Sequence, residues 1–143
     1  MTDQPKIVAA AITTDAKVSE TVRKVLGDND RIVIAAEIMR PFAEISRDEL
    51  GRLRDVDPRL IFIDLADEPA TGIKLAAFLS EGHPNRRFIG IGPTLEAELL
   101  IEAMRAGISE YLPKPIDEVE LAQAIRRLEK KILGAGEVVG QVT

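Results

Sequence analysis

Cysteine is absent from this sequence of 143 residues, and histidine occurs once, at His83. Without a thiol, the chain can form no disulfide, no thiolate zinc site and no cysteine nucleophile. A single histidine also excludes a histidine-rich metal site and most histidine-based catalytic triads within the chain. These absences remove much of the metal and nucleophile chemistry that small enzymes use.

Aromatic residues and long apolar runs are also scarce. With four phenylalanines, one tyrosine and no tryptophan, the core must be filled by alanine, valine, isoleucine and leucine, which can still pack densely. No apolar run approaches the roughly 20 residues of a membrane span, and the amino terminus does not resemble a signal peptide. We therefore expect a cytoplasmic domain.

The charge balance is acidic, with 24 Asp and Glu residues against 19 Lys and Arg residues and a formal net charge of -5. Because nucleic-acid phosphates are bound by a basic face, we expect no nucleic-acid partner. The small basic clusters at Arg86 with Arg87 and at Arg126 with Arg127 are interpreted as solvated faces. The length and the 45% hydrophobic content are typical of one globular domain.

Short β-branched apolar runs alternate with longer segments of helical periodicity. Strands are predicted at residues 7–12, 31–38, 60–63, 88–91 and 110–112. Apolar runs of this kind suit strands buried on both faces of a parallel sheet. A helix follows each strand, and the weakest helical pattern is the second, near residues 46–54. The alternation predicts a doubly wound α/β fold with right-handed crossovers.

Capping signals mark the ends of the predicted helices. Helix starts are predicted at Asp15, Ser46, Thr94 and Asp117, and helix ends at Gly27, Gly107 and Gly134. Ligands of such a sheet bind beyond the carboxyl ends of its strands. The informative residues are therefore those that follow the strands.

Two segments carry a family resemblance, PRLIFIDLADEPATGIKLAAFL and EAMRAGISEYLPKPIDEVELAQAI, with FIGIGPT between them. In this order and spacing they resemble a CheY-type receiver domain, the phosphoacceptor module of response regulators, over roughly residues 6 to 132. The resemblance implies a flavodoxin/CheY-like (βα)5 fold, whose five-stranded parallel sheet has the strand order 2-1-3-4-5.

Receiver chemistry requires four parts, of which this sequence keeps two. Asp64 stands at the phosphoacceptor position, and Lys114 stands where the family has its conserved lysine. The acidic pair that holds Mg²⁺ is replaced by Thr13 and Thr14, and the Thr or Ser after the fourth strand is replaced by Gly92. Mg²⁺ usually binds through one or two carboxylates plus phosphate and water. We therefore predict no metal site, no cofactor and no enzyme activity.

Other residues near this position admit a structural interpretation. Asp64 can form an ion pair with Lys114 instead of accepting a phosphoryl group. Asp15 is interpreted as a helix cap. The resemblance also implies a cis peptide before Pro115 and places Tyr111 at the family's switch position, where we expect a half-buried ring with its hydroxyl in solvent.

The end of the chain indicates a second similarity. Residues 134–143, GAGEVVGQVT, leave the helical pattern and are predicted to be a linker or the start of a downstream domain, after a receiver-like domain at residues 1–133. The segment RAGISEYLPKPIDEVELAQAI and the missing acidic pair are similar to the amino-terminal domains of CpaE/TadZ proteins of tight-adherence (Flp-type) pilus assembly. In that family an atypical receiver precedes a ParA/MinD-type ATPase.

Two functions stay open on these grounds, and a stand-alone enzyme is disfavoured. The first is a non-catalytic interaction and localisation module, recruited to the cell pole or to the inner-membrane pilus machinery. The alternative is a response regulator receiver that is phosphorylated on Asp64. For the first, receivers commonly use the face of the fourth helix, fifth strand and fifth helix, through which we expect pilus partners or a homodimer to bind. Its predicted residues are Glu98, Glu102, Arg105, Tyr111, Arg126 and Lys130.

Overall fold

Five strands and five α-helices alternate in the computed structural model, which describes residues 6–141 and their side chains as far as Leu133. The strands are β1 (Ile7–Ile12), β2 (Ile32–Ile38), β3 (Leu60–Asp64), β4 (Arg87–Gly92) and β5 (Ile108–Pro113). The helices are α1 (Ala16–Gly27), α2 (Arg47–Val56), α3 (Pro69–Ser80), α4 (Ala97–Arg105) and α5 (Glu118–Gln141), and a 3-10 turn (Phe42–Glu44) precedes α2.

The strands form one parallel sheet in the order β2-β1-β3-β4-β5, which confirms the predicted α/β topology. One core cluster joins the sheet to α1 and α5, and the other joins it to α2, α3 and α4. The helices therefore cover both faces. The five predicted strands all occur, with ends shifted by one or two residues. No helix in the described part of the chain is both long and apolar enough to cross a membrane.

The central strands explain how a core with few aromatic residues is filled. All five residues of β3 are buried, as the continuous apolar run predicted. In β1, Ala9, Ala10 and Ala11 are buried between the two helical layers, where small side chains let helices lie close to the sheet. Phe62 and Phe88 are the two phenylalanines that are fully buried.

Most of the predicted helix starts are confirmed. Asp15 accepts a hydrogen bond from the Lys17 amide at 2.9 Å, and Ser46 forms a reciprocal capping box with Glu49. Asp117 accepts from two amides of the first turn of α5. Thr94 was wrongly predicted as a cap, because α4 begins at Ala97, three residues later.

The predicted helix ends are confirmed only in part. Gly107 has a positive φ of 108°, whereas Gly27 is the last residue of α1 and the left-handed residue after α2 is Asp57. The prediction that the last helix ends at Gly134 is wrong, because α5 continues to Gln141. Glycine costs a helix about 1 kcal/mol relative to alanine, and a helix that is already nucleated can continue through it. The extent of α5 does not show whether residues 134–143 belong to a linker or to another domain, and residues 142–143 lie outside the described residues. That assignment stays a prediction.

Arg86 is buried, which corrects the interpretation of it as part of a solvated basic face. Its Nε donates to the Pro58 carbonyl at 2.8 Å, Nη1 to the Leu79 carbonyl at 2.7 Å and Nη2 to Asp57 Oδ1 at 2.7 Å. These acceptors belong to the residues that follow α2 and to the last turn of α3. The guanidinium therefore holds the carboxyl ends of two helices beside the start of β4.

Replacing this guanidinium tests its structural role. Arg86→Lys keeps the positive charge but cannot satisfy three acceptors in a planar fork, so we expect a loss of about 2 kcal/mol in the free energy of unfolding. Urea unfolding monitored by circular dichroism measures it. The neighbouring Arg87→Lys is the matched control and should change stability by less than about 0.5 kcal/mol. Equal losses for the two variants would contradict the assigned role.

Candidate functional site

The carboxyl edge of the sheet brings together residues that are far apart in the sequence. Thr13 follows β1, Asp64 is the last residue of β3, and Lys114 follows β5. Because parallel strands all end at this edge, the three side chains converge as the sequence predicted. The Lys114–Pro115 peptide is cis, as the resemblance implied.

The carboxylate of Asp64 is fully engaged by its neighbours. Its Oδ2 atom accepts hydrogen bonds from Thr13 Oγ1 at 2.6 Å and from Lys114 Nζ at 2.8 Å. Its Oδ1 atom accepts from the Ala66 amide at 3.0 Å. The Asp64 side chain is only 6% exposed, so each of its oxygens is bonded within the protein.

Lys114 contacts a second carboxylate, which the sequence analysis did not assign to this site. Its ammonium lies 2.9 Å from Asp15 Oδ2, while Asp15 Oδ1 caps α1 through the Lys17 amide. Asp15 is therefore both the predicted helix cap and a member of the site. The available signal was its place at the end of β1, which puts it at the same edge as Lys114.

The ion pairs shift the pKa values of the groups that form them. The hydrogen bond from Lys114 holds the pKa of Asp15 below its ordinary value. Burial of the Lys114 ammonium opposes its charge, but the hydrogen bonds to Asp64 and Asp15 outweigh this effect and raise the pKa of Lys114. The ion pair between Asp64 and Lys114, one of the two interpretations left open, is thus present in the structure.

The two threonines that replace the acidic pair do different things. Thr13 is buried and also accepts a hydrogen bond from the Asp15 amide at 3.0 Å, so it links the end of β1 to Asp64. Thr14 is exposed and donates to Asp67 Oδ2 at 3.1 Å. Within residues 6–133, no cluster of three or more Asp, Glu or His side chains is placed to hold a metal ion. The absence of Mg²⁺ chemistry stays a prediction.

Tyr111 fills the space beside Gly92. Its ring is half-buried, as expected, and its hydroxyl donates to the Pro93 carbonyl at 2.5 Å in an exposed hydrogen bond. A Cβ atom at Gly92 would lie 2.7 Å from this hydroxyl and 3.2 Å from the Ala66 amide nitrogen. The side chain that receivers carry at this position has no room here, which gives a physical reason for the glycine.

The residues of the predicted interaction face lie on α4 and α5. Glu98, Glu102 and Arg105 are exposed on α4, as expected. Arg126 and Lys130 line a shallow groove together with Asp28 and Asn29. The role of these residues in binding a partner stays a prediction.

Residues that were not predicted complete these surfaces. Arg127 pairs with Glu110 of β5 through two hydrogen bonds of 2.9 and 2.8 Å, so it, rather than Arg126, points to the strand. On α4, Leu100, Ile101 and Met104 are 39%, 50% and 66% exposed. Their three- and four-residue spacing places them side by side, and we call them the α4 stripe.

The strand order, the carboxylate that ends β3 and the lysine with its cis proline after β5 define a CheY-like receiver fold. The chain has this fold, with Thr13 and Thr14 at the positions where the family resemblance implies an acidic pair. Neither a family model nor a curated protein sequence matches it.

Solved structures of two kinds are similar to the chain. A putative pilus assembly protein, CpaE, of Burkholderia thailandensis aligns with a TM-score of 0.70 and 22% identity over 87% of this chain and 98% of that one. A CheY-like protein, TadZ, of Pseudomonas aeruginosa aligns with a TM-score of 0.66 and 23% identity, over 86% of this chain and 99% of that one. The isolated REC domain of RcsB from Salmonella enterica, solved in the presence of a phosphomimetic, aligns with a TM-score of 0.71 and 17% identity, over 87% of this chain and 89% of that one.

Tyr111 provides a direct optical test of this geometry, because the chain has one tyrosine and no tryptophan. Burial, followed by the charge of Asp64, raises the pKa of Tyr111 to about 12 from an ordinary 10.0. The neutral phenol therefore contributes stability that is complete below about pH 10 and is lost as the pH rises toward about 12. Tyrosinate absorbance should appear well above pH 10 in the folded protein and near pH 10 in denaturant.

Asp64→Asn should lower the pKa of Tyr111 part of the way, since burial remains. Asp67→Asn is the control, because the charge of Asp67 is not a cause of the shift. A folded protein whose tyrosine titrates near pH 10 would contradict the described environment.

Lys114→Met should change how the free energy of unfolding depends on pH. Without the ammonium, Asp15 and Asp64 lose their common cation, and we expect a loss of about 2 kcal/mol at neutral pH. In the wild type, the lowered pKa of Asp15 contributes stability that is present above its ordinary value and is lost as the pH falls through the lower, folded value. In the variant, uptake of a proton relieves repulsion, so acidification from pH 7 to about 5 should stabilise it. Over the same range Asp15 gives the wild type no change in stability, because its pKa lies below the ordinary 3.8.

Urea unfolding at several pH values measures this difference. Lys17→Met, at an exposed lysine two residues from Asp15, is the control and should follow the wild type. A Lys114→Met protein that loses stability in parallel with the wild type on acidification would show that the ammonium does not hold the two carboxylates together.

Proposed function

We propose that this chain is a non-catalytic receiver module that acts through protein contacts in a pilus-assembly system. The observation that carries the proposal is the state of the Asp64 carboxylate, both oxygens of which are bonded to Thr13, Lys114 and Ala66. An acceptor carboxylate needs a free oxygen in line with the phosphoryl group and a cation that neutralises the developing charge. In this chain, Thr13 and Ala66 donate to the carboxylate oxygens, and the Lys114 ammonium supplies the positive charge beside them.

A Mg²⁺ ion at this site would compete with the Lys114 ammonium for the carboxylates of Asp64 and Asp15. Mg²⁺ would gain few ligands in return, since it prefers an octahedral set of carboxylate, phosphate and water oxygens and Thr13 and Thr14 offer neutral hydroxyls. The geometry therefore supports a site that is closed to the metal and to the phosphodonor.

The similarity to a CpaE and a TadZ structure supports the biological setting of the proposal. In that setting the module lies in the cytoplasm and is recruited to the pilus machinery or the cell pole. Its partners are pilus-assembly components or a second copy of the chain, and a ParA/MinD-type ATPase follows it in the full-length protein. The phosphoacceptor receiver is the alternative, to which the engaged Asp64 carboxylate is an obstacle.

The surface that serves this function is the α4 stripe with its charged border. Leu100, Ile101 and Met104 expose apolar side chains on one helix, next to Glu98 and Glu102. An apolar centre with a polar rim is the usual composition of a specific, non-obligate contact.

A phosphodonor assay tests the proposal. The chain is incubated with acetyl phosphate and Mg²⁺, and intact-protein mass spectrometry detects an acyl phosphate. We expect no Mg²⁺-dependent adduct, because both oxygens of Asp64 accept bonds from internal donors and the acidic pair is replaced by Thr13 and Thr14. A receiver with an intact acidic pair, treated in parallel, shows that the assay detects the product. Mg²⁺-dependent labelling of the wild type that is abolished by Asp64→Asn would sink the non-catalytic assignment and favour the alternative.

A further inference from the structure

A groove of about 540 Å³ lies between α2 and α3, away from the Asp64 site. Apolar side chains from both helices line it, namely Leu50, Leu53, Phe78 and Leu79. Phe78 is 57% exposed, although phenylalanine is scarce in this chain and two of the four are fully buried elsewhere. An exposed aromatic side chain in an apolar groove is typical of a surface that another molecule covers.

The border of this groove is basic. Arg47 and Arg54 line it from α2, about 10 Å apart along the helix axis. Within residues 6–133, neither of these exposed arginines forms a salt bridge with a carboxylate. Glu81 is the one acidic residue among those that line the groove. The groove is therefore suited to an apolar segment with an acidic border.

The same molecule carries a surface of similar composition on α4. The α4 stripe is apolar, and Glu98, Glu102 and Arg105 border it, so the border has two acidic residues and one basic residue. Among the described side chains, neither glutamate pairs with a base. The two surfaces are thus complementary in apolar character, and the two glutamates match the arginines of the groove in the sign of their charge.

One molecule cannot join these two surfaces to each other. Helix α2 packs against β2 at one edge of the sheet, and α4 packs against β5 at the other. Helix α3 lies between them on the same face and contacts α4. The complementarity can therefore be satisfied only between molecules.

We propose that the α4 stripe of one copy docks into the α2–α3 groove of a second copy. This inference rests on the proposed function, since it takes the α4 stripe as the contact surface and names what that surface binds. A parallel contact between two α4 helices would instead bring Glu98, Glu102 and Arg105 beside their own copies, and like charges oppose such a contact. Because the two docked surfaces differ, the interface is heterologous. Each added copy leaves one stripe and one groove free, so the assembly grows beyond a dimer unless the copies close into a ring.

Sedimentation equilibrium of the 143-residue chain tests this inference. We expect the average mass of the wild type to rise with concentration and to pass that of a dimer, and high salt to reduce the association. Met104→Asp on α4 and Phe78→Asp in the groove should each weaken self-association at least about tenfold. Arg54→Glu should act in the same direction. All three side chains are exposed, so the fold should survive, and circular dichroism checks it.

Matched controls separate the surfaces from general effects of charge. Arg52→Glu changes an exposed arginine of α2 that does not line the groove, and Val119→Asp changes an exposed apolar residue of α5. Both should associate as the wild type does.

The decisive experiment mixes the Met104→Asp and Phe78→Asp proteins. Met104→Asp keeps an intact groove and Phe78→Asp keeps an intact α4 stripe, so each variant alone should self-associate weakly. The mixture should form a complex that contains one copy of each variant. A monomeric mixture, a Phe78→Asp protein that associates like the wild type, or a wild type that is monomeric at about 1 mM would overturn the inference. If Met104→Asp alone matters, the α4 surface of the proposed function stands and only its docking site is wrong.

Discussion

The ammonium of Lys114, held between the carboxylates of Asp15 and Asp64, is the interaction on which the rest of this site depends. A buried carboxylate needs a compensating charge and donors for its oxygens. In this chain the charge comes from the residue after β5, and the donors come from the end of β1 and from the loop after β3. The cluster therefore joins three strand ends without an external cation.

The neighbouring residues adapt to this arrangement. Tyr111 donates its hydroxyl to the Pro93 carbonyl and takes the space that a side chain at residue 92 would need. A receiver that signals must let a phosphoryl group and a metal enter the same space. In this molecule, the Tyr111 hydroxyl lies beside Gly92, and Lys114 and Thr13 contact the Asp64 carboxylate. The case illustrates that a fold sets where a site lies, while the residues at the site decide its chemistry.

The net charge of -5 does not show that acidic and basic side chains are concentrated on different surfaces. Acidic side chains border the apolar stripe of α4, and two arginines without carboxylate partners in the described region border the groove of α2 and α3. These surfaces lie on one side of the sheet but at different edges. Complementary surfaces of this kind favour specific contacts, since wrong pairings bring like charges together.

The local pattern of buried strands and turns in the sequence determined the order of elements, and the family resemblance implied the strand order that the sheet has. Because parallel strands end together, the sequence also determined the edge at which Thr13, Asp64 and Lys114 meet. Only the tertiary structure decided the rest. It placed Asp15 on Lys114, buried Arg86 against three acceptors, and paired Arg127 with Glu110. A helical spacing shows which side chains share a face, but which partner that face meets depends on how distant elements pack, and no local pattern records this.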